Sequence, residues 1–242
     1  MQSLGAFLQC YKEPLATYKC LESFRSFYPD SSIVLLSDNG YDYSEMAKHF
    51  HCIYIHSTEN ILLSCHKKEN QYQINHMKKL LNRINMAFQL CNEDYIMWLE
   101  DDVIINHKIT DTFQYDMNGF CPNTILQKNF IALHQDYPFI NDINKCRITG
   151  HGGSVFHKNK MVQYFNNTLL VDDLLSNYNK YMFDWNQDIL FSVITVLNGG
   201  TIGSYEGHFD CNILNPYISV QHQYKRWYGV ELPDELKHLV KI

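Results

Sequence analysis

The chain has 242 residues, of which 45% are hydrophobic and 19% charged, so it can bury a substantial core without a partner. Its formal net charge of -6 argues against a nucleic-acid-binding protein, because binding to the phosphate backbone requires clustered Lys and Arg. The first residues contain no basic leader and only a short apolar run, so we expect no membrane span and a soluble, cytoplasmic protein.

The first half of the chain predicts alternating strands and helices. Short apolar runs bounded by turn residues predict buried strands, and segments with helical periodicity lie between them. The strands are expected at 4–10, 33–36 and 52–55, and the helices at 15–27 and 43–50. This order predicts a parallel sheet with right-handed crossovers. Apolar residues then recur at three- and four-residue steps over 74–91, which predicts a helix with one buried stripe.

That helix leads into residues 95–103, where five consecutive apolar or aromatic residues end at three carboxylates, Glu100, Asp101 and Asp102. Central strands of parallel sheets are apolar on both faces and present ligands at their carboxyl ends. Because strand side chains alternate, Glu100 and Asp102 should share one side, with Asp101 on the other. Two such carboxylates can hold Mg²⁺ or Mn²⁺, although acid clusters also occur as caps and solvated turns.

The second half predicts a mixed lobe. Strand-like pieces are expected at 112–115 and 130–134, and helices near 158–165 and 169–178. Residues 186–197 are apolar on nearly every side, which predicts a buried helix ended by the two glycines that follow. A short helix is expected at the end of the chain.

The acidic motif at the end of the fourth strand, Glu100-Asp101-Asp102, resembles the DXD-type motif of glycosyltransferases with the GT-A fold. Three further segments resemble motifs of this family in the expected order: a glycine-rich loop (150–156), an acidic motif that opens a buried helix (184–188), and a C-terminal His segment (221–225). The departure is the Glu in the first position, which many members of the fold tolerate.

The resemblance implies an α/β fold of the GT-A type, with a Rossmann-like, mostly parallel central sheet flanked by helices and a mixed acceptor-side lobe. Residues 1–242 would form a single domain, with a nucleotide-binding half (1–105) and an acceptor-side half (106–242). The implied metal ligands are Asp102, His222 and Glu100. The implied donor-binding residues are Gln9, Tyr11, Asp38, Arg83, Glu100, Asp101, Asp102, Gly152, Gly153 and Lys225.

The activity implied by the resemblance is transfer of a sugar from a nucleoside-diphosphate sugar, with a UDP-sugar favoured, to a hydroxyl of a glycan or another acceptor. The reaction would use Mn²⁺ or Mg²⁺, and the enzyme would be a hexosyltransferase. Asp188, or Asp184, would deprotonate the acceptor if the reaction inverts the sugar configuration; a retaining reaction requires no such base. The sequence leaves both outcomes open.

Each motif also has a purely structural explanation. The glycine cluster can be a turn, Asp184 and Asp188 can be helix-capping and first-turn acids, and Arg83 can be a surface residue of an amphipathic helix. A nucleotidyltransferase is a rival, but the glycine-rich basic loop expected after its first strand is missing from residues 9–14. A non-catalytic sugar- or nucleotide-binding module on the same fold is a second rival, because fold does not determine function.

Overall fold

A computed structural model describes residues 2–38, 40–61, 70–120, 123–184 and 186–241, and only the backbone of residues 70–72. Trp185, in the predicted acidic motif, lies outside the described residues. The strands are β1 (Leu4–Cys10), β2 (Ile33–Ser37), β3 (Ile53–His56), β4 (Tyr95–Leu99), β5 (Ile104–Ile105), β6 (Met117–Gly119), β7 (Asn123–Thr124), β8 (Arg147–Ile148), β9 (Val155–His157), β10 (Ile202–Ser204), β11 (His208–Asp210) and β12 (Val220–His222). The helices are α1 (Pro14–Phe27), α2 (Ser44–His49), α3 (Asn70–Leu90), α4 (Gln127–Asp136), α5 (Lys158–Phe165), α6 (Thr168–Ser176) and α7 (Gln187–Leu197).

The central sheet has seven strands in the order β10-β6-β9-β4-β1-β2-β3. Strand β4 pairs parallel with β1, β1 with β2, β2 with β3, and β6 with β10, whereas β9 runs antiparallel to both β4 and β6. The predicted α/β class with a mostly parallel sheet flanked by helices is therefore confirmed. Strand β4 lies in the middle of this sheet, which explains its nearly continuous apolar sequence.

Alternate residues of the sheet pack into two cores. Phe7 and Trp98 face one core, where Phe7 contacts Phe88 of α3 at a ring-centroid distance of 5.6 Å. Leu8 and Leu99 face the other core, which includes residues of α1 and α2. The acidic motif therefore follows a strand that is packed on both sides.

Two predicted strands in the second half are wrong. Residues 112–115 precede β6, and residues 130–134 lie inside α4. A short apolar run does not distinguish a strand from a buried helix, and here Asn129, Ala132 and Leu133 are buried at the spacing of one helical face. The final helix is a 3-10 helix, Asp234–Leu239. None of the described helices is long and apolar enough to cross a membrane.

A smaller sheet, in the order β11-β12-β5, joins the C-terminal part of the chain to the acidic motif. Strand β5 begins two residues after Asp102, and β12 runs antiparallel to it. Strand β11 runs parallel to β12, with Asp210 opposite His222. This pairing brings His222 next to the end of β4.

Candidate metal and donor site

The three acidic residues form a turn after β4, in which the Val103 N–H donates to the Glu100 carbonyl at 2.9 Å. On one side of this turn, Glu100 and Asp102 contact His222. On the other side, the Tyr228 hydroxyl donates a hydrogen bond to Asp101 Oδ1. The alternation expected from the sequence therefore holds.

The side chains of Glu100, Asp102 and His222 offer three ligand atoms that all lie within 4.8 Å of one another. His222 Nε2 is 3.2 Å from Glu100 Oε2 and 3.4 Å from Asp102 Oδ1. Asp102 Oδ1 is buried and makes no hydrogen bond within the described part of the chain. Two carboxylates and one imidazole suit a divalent cation such as Mn²⁺. The residues present therefore fit the metal that the sequence motif implies.

The charges around this group are poorly solvated. Burial raises the pKa of Asp102, and it raises the pKa of Asp101 to about 7 despite the hydrogen bond from Tyr228. Burial alone would lower the pKa of His222, but its hydrogen bond with Asp210 and the nearby carboxylates outweigh burial and raise that pKa to about 10. A metal ion would have to displace the proton on His222 Nε2, and it would relieve the repulsion between the acids.

Two further residues, His151 and Asp210, lie next to His222. Asp210 Oδ1 is 2.9 Å from His222 Nδ1 and 3.7 Å from His151 Nε2, so His151, Asp210 and His222 form a second group of neighbouring ligand atoms. Sequence reasoning assigned no role to Asp210. No local motif marks it, since only the pairing of β11 with β12 brings it to the site.

The predicted glycine loop packs against the metal group. Gly153 N–H donates to the Trp98 carbonyl at 2.7 Å, which ties the loop to the end of β4, and Gly153 has a φ of +87° that favours glycine. A Cβ on Gly152 would lie 2.8 Å from His222 Cδ2 and 3.1 Å from Glu100 Cβ. The absence of a side chain at Gly152 thus allows the segments that carry Glu100 and His222 to approach each other. Contact of the loop with a donor sugar stays a prediction.

A cleft of about 520 Å³ opens over the acidic turn. It brings together many of the predicted residues, namely Gln9, Tyr11, Glu100, Asp101, Asp102, Asp188, His222 and Lys225. Lys12, which the sequence also places at this pocket, lines the cleft as well. His151, Asn186, Gln187 and Gln223 line it from within the predicted motifs without an assigned role, and Glu13 and Tyr228 are lining residues that no predicted motif contains. Lys225 Nζ is 3.8 Å from Asp102 Oδ2, and the buried amide of Gln9 has no hydrogen-bond partner in the described ranges. The cleft therefore combines acids, a lysine and an uncommitted amide.

Asp188 lies on this cleft in the first turn of α7, and burial raises its pKa to about 7. The N-cap of α7 is Asn186, whose side chain accepts from the Asp188 N–H at 2.7 Å. Asp184 is not this cap; it is exposed and does not line the cleft.

The other predicted donor-binding residues, Asp38 and Arg83, form a buried ion pair with each other. Neither lines the cleft, although Arg83 Nε and Nη2 make no hydrogen bond with the residues that the structure describes. The surface alternative for Arg83 is wrong, because its side chain is only 5% exposed.

No protein-family model and no curated protein sequence matches the chain. Among solved structures, the galactosyltransferase LgtC in complex with donor and acceptor sugar analogs is similar, with 11% identity, coverage of 97% of this chain and 99% of that chain, and a TM-score of 0.52. An active-site mutant of LgtC matches over the same shares with 13% identity and a TM-score of 0.51. Mouse xyloside xylosyltransferase 1 in its apo form has 12% identity, coverage of 91% and 97%, and a TM-score of 0.47. The two LgtC structures show that the chain has the GT-A glycosyltransferase fold that its acidic motif predicts.

Proposed function

We propose that the chain is a metal-dependent glycosyltransferase that transfers a sugar from a nucleoside-diphosphate sugar, with a UDP-sugar favoured, to a hydroxyl acceptor. The observation that carries the proposal is the convergence of Glu100, Asp102 and His222 within 4.8 Å on a glycosyltransferase fold. These residues come from the end of β4 and from β12, and the fold alone does not require carboxylates and an imidazole there.

The group would hold Mn²⁺ or Mg²⁺, which when bound supplies positive charge that stabilises the diphosphate leaving group. Lys225, whose side chain is exposed beside Asp102, would add a second positive charge on the same side of the cleft. The amide of Gln9 would donate to and accept from donor hydroxyls, because both of its polar atoms lack partners among the described residues. Tyr11, on the same wall, would contact the nucleoside.

Asp188 would bind the acceptor side of the reaction centre. A general base works best when its pKa lies near the operating pH, and burial brings the pKa of Asp188 to about 7. In an inverting reaction its carboxylate would accept the proton of the attacking hydroxyl. Asp184 is a weaker candidate, since it is exposed outside the cleft.

A panel of nucleotide sugars tests the proposal. The protein is incubated with each donor and Mn²⁺, with and without simple sugar acceptors, and free nucleoside diphosphate is measured. We expect release that stops when the metal is chelated. Tight binding of a nucleotide sugar without turnover on any acceptor would instead identify a binding module.

Asp188→Asn tests the role of the base. We expect kcat to fall on the order of 10²–10⁴-fold with donor KM nearly unchanged, because the amide cannot accept the proton. Asp184→Asn is the neighbouring control, because Asp184 is exposed and does not line the cleft. Product NMR reads the anomeric configuration directly. An inverted product together with unchanged kcat in Asp188→Asn would place the base elsewhere.

A further inference from the structure

The contact between Asp210 and His222 is set by the backbone. Parallel pairing of β11 with β12 places Asp210 opposite His222, and the Cys211 N–H donates to the His222 carbonyl at 3.0 Å. Asp210 Oδ1 then lies 2.9 Å from His222 Nδ1. Both side chains are held by the same two strands, so their separation does not depend on a mobile surface contact.

This contact determines which ring nitrogen of His222 is available to a metal ion. An ionised carboxylate only accepts hydrogen bonds, so His222 Nδ1 must carry the proton in its bond with Asp210. A neutral imidazole carries a proton on one ring nitrogen only. With that proton on Nδ1, Nε2 has a lone pair that can bind a metal ion. Nε2 is the atom that faces Glu100 and Asp102.

We propose that Asp210 is a positioning residue of the metal site: its carboxylate holds His222 in the Nδ1–H tautomer and directs Nε2 to the ion bound by Glu100 and Asp102. Partners of this kind orient metal-ligating histidines and raise their basicity, and their loss typically lowers metal affinity by about 10–100-fold. The inference rests on the proposed metal-dependent function and adds a residue that contacts neither donor nor metal.

The competing role for Asp210 is that of a direct ligand, together with His151 and His222 Nδ1, at the neighbouring group. The distances favour positioning. Asp210 Oδ1 is within hydrogen-bond distance of His222 but 3.7 Å from His151 Nε2, which makes no hydrogen bond within the described ranges. In that competing role His222 would turn Nδ1 to the metal and leave the proton on Nε2, facing Glu100.

Mn²⁺ titration of the full chain without donor, by calorimetry or by the electron paramagnetic resonance signal of free Mn²⁺, measures the effect. We expect Asp210→Ala to weaken Mn²⁺ binding by about 10–100-fold, and Asp210→Asn to restore part of the loss, because its amide oxygen still accepts from Nδ1–H. At saturating Mn²⁺ the turnover of Asp210→Ala should approach that of the unmodified protein. A purely structural role would not predict this split between metal affinity and kcat.

Two further variants make the result specific. Asp111→Asn is the matched control for folding, since Asp111 Oδ2 accepts from the Gly207 N–H just before β11 but is not part of the metal group; its Mn²⁺ affinity should not change. His151→Gln should leave Mn²⁺ affinity within about twofold, well below the loss expected from removing a group that orients a ligand. Thermal melting checks that each variant folds.

The outcomes separate this inference from the proposed function. If the unmodified protein binds Mn²⁺ and Asp210→Ala binds it equally well, the positioning role is overturned and the metal site stands. If His151→Gln loses as much affinity as Asp210→Ala, both residues are ligands and the positioning role is also overturned. If the unmodified protein binds no Mn²⁺, the metal-dependent function and this inference fail together.

Discussion

The two sides of the acidic turn are built from the same chemistry and have different surroundings. Asp101 faces the hydroxyl of Tyr228, which gives its carboxylate a hydrogen-bond donor. Asp102, the next residue, faces His222 with an oxygen that no described group satisfies by a hydrogen bond. Desolvation raises the pKa of both carboxyls, although Asp102 is buried and Asp101 is half-buried. The turn after β4 thus directs Asp101 to a protein hydroxyl and Asp102 to the group of possible metal ligands.

The two sides also differ in how far the described protein groups satisfy the carboxylates. A buried carboxylate is costly unless it is paired or coordinates a metal. Tyr228 supplies a protein partner for Asp101. Among the described residues, the ion-pair partners of Glu100 and Asp102 are His222 and, for Asp102, the more distant Lys225. Substitutions one residue apart should therefore have different consequences.

Asp102→Asn should have the largest effect. Loss of the carboxylate should reduce metal-dependent turnover on the order of 10²–10³-fold, the scale found when one transition-state contact is removed. The melting temperature of the metal-free protein should not fall, because the fold raises the pKa of Asp102 and thus disfavours its charged form. Donor turnover measures the loss of activity, and thermal melting of the metal-free protein measures the effect on stability. Asp111→Asn is the control for both. Full activity in Asp102→Asn would exclude Asp102 as a ligand.

The sequence by itself indicates one half of this candidate site. An apolar run that stops at Glu100 and Asp102 is typical of a buried central strand, and open α/β sheets bind their ligands at the carboxyl ends of such strands. The role of His222 as a metal ligand is implied only by the family resemblance. Asp210 could not be predicted at all, because its position depends on the register of two three-residue strands far from β4 in the chain.

The strands of the first half of the chain are also easier to predict from the sequence than those of the second half. In the first half, apolar runs of four to seven residues between turn residues predict every strand from β1 to β4 to within one residue at its start. In the second half, strands of two or three residues are too short to show a period, and residues 130–134 proved helical. Short elements are determined by tertiary pairing, which a single sequence does not display.

Gly152→Ala should have the second largest effect, because the atoms nearest to its new methyl group belong to Val103 and to the metal group on the Asp102 side of the turn. The new methyl group would meet Val103 Cγ2 at 2.7 Å and His222 Cδ2 at 2.8 Å. A misplacement of a reacting group by about 1 Å can lower the reaction rate by roughly 10²-fold. We expect a displaced ligand to lower Mn²⁺ affinity by a similar factor, about 10–100-fold. Overpacking should also lower stability by about 1–3 kcal/mol.

Gly207→Ala is the control for Gly152→Ala, since the nearest atoms to its methyl group would belong to Ser219 and Asp111, at 3.1 Å or more. Mn²⁺ titration and thermal melting of both variants separate the effect on the site from the general effect of the substitution. Equal Mn²⁺ affinity in Gly152→Ala and the unmodified protein would mean that the glycine does not hold the ligands in place.

Asp101→Asn should have the smallest effect on catalysis, with Mn²⁺ affinity reduced by less than about tenfold, because the side chain is a neighbour of the ligands and is directed to Tyr228. Its main effect should be on stability as a function of pH. In the unfolded chain the pKa of Asp101 is about 4, whereas burial raises the pKa to about 7 in the folded chain. The folded state therefore binds more protons between these values, and the unmodified protein loses stability relative to Asp101→Asn as the pH rises through this window.

Melting curves of the unmodified protein and Asp101→Asn at about pH 4 and about pH 8 measure this difference. The two melting temperatures should be similar at the lower pH, and Asp101→Asn should melt higher at the upper pH, by roughly 2–4 °C for each kcal/mol gained. The asparagine oxygen still accepts from Tyr228, so the hydrogen bond is kept while the charge is removed. If the difference is instead independent of pH and Mn²⁺ binding is lost, Asp101 belongs with Asp102 as a ligand, and the two sides of the turn are not distinct.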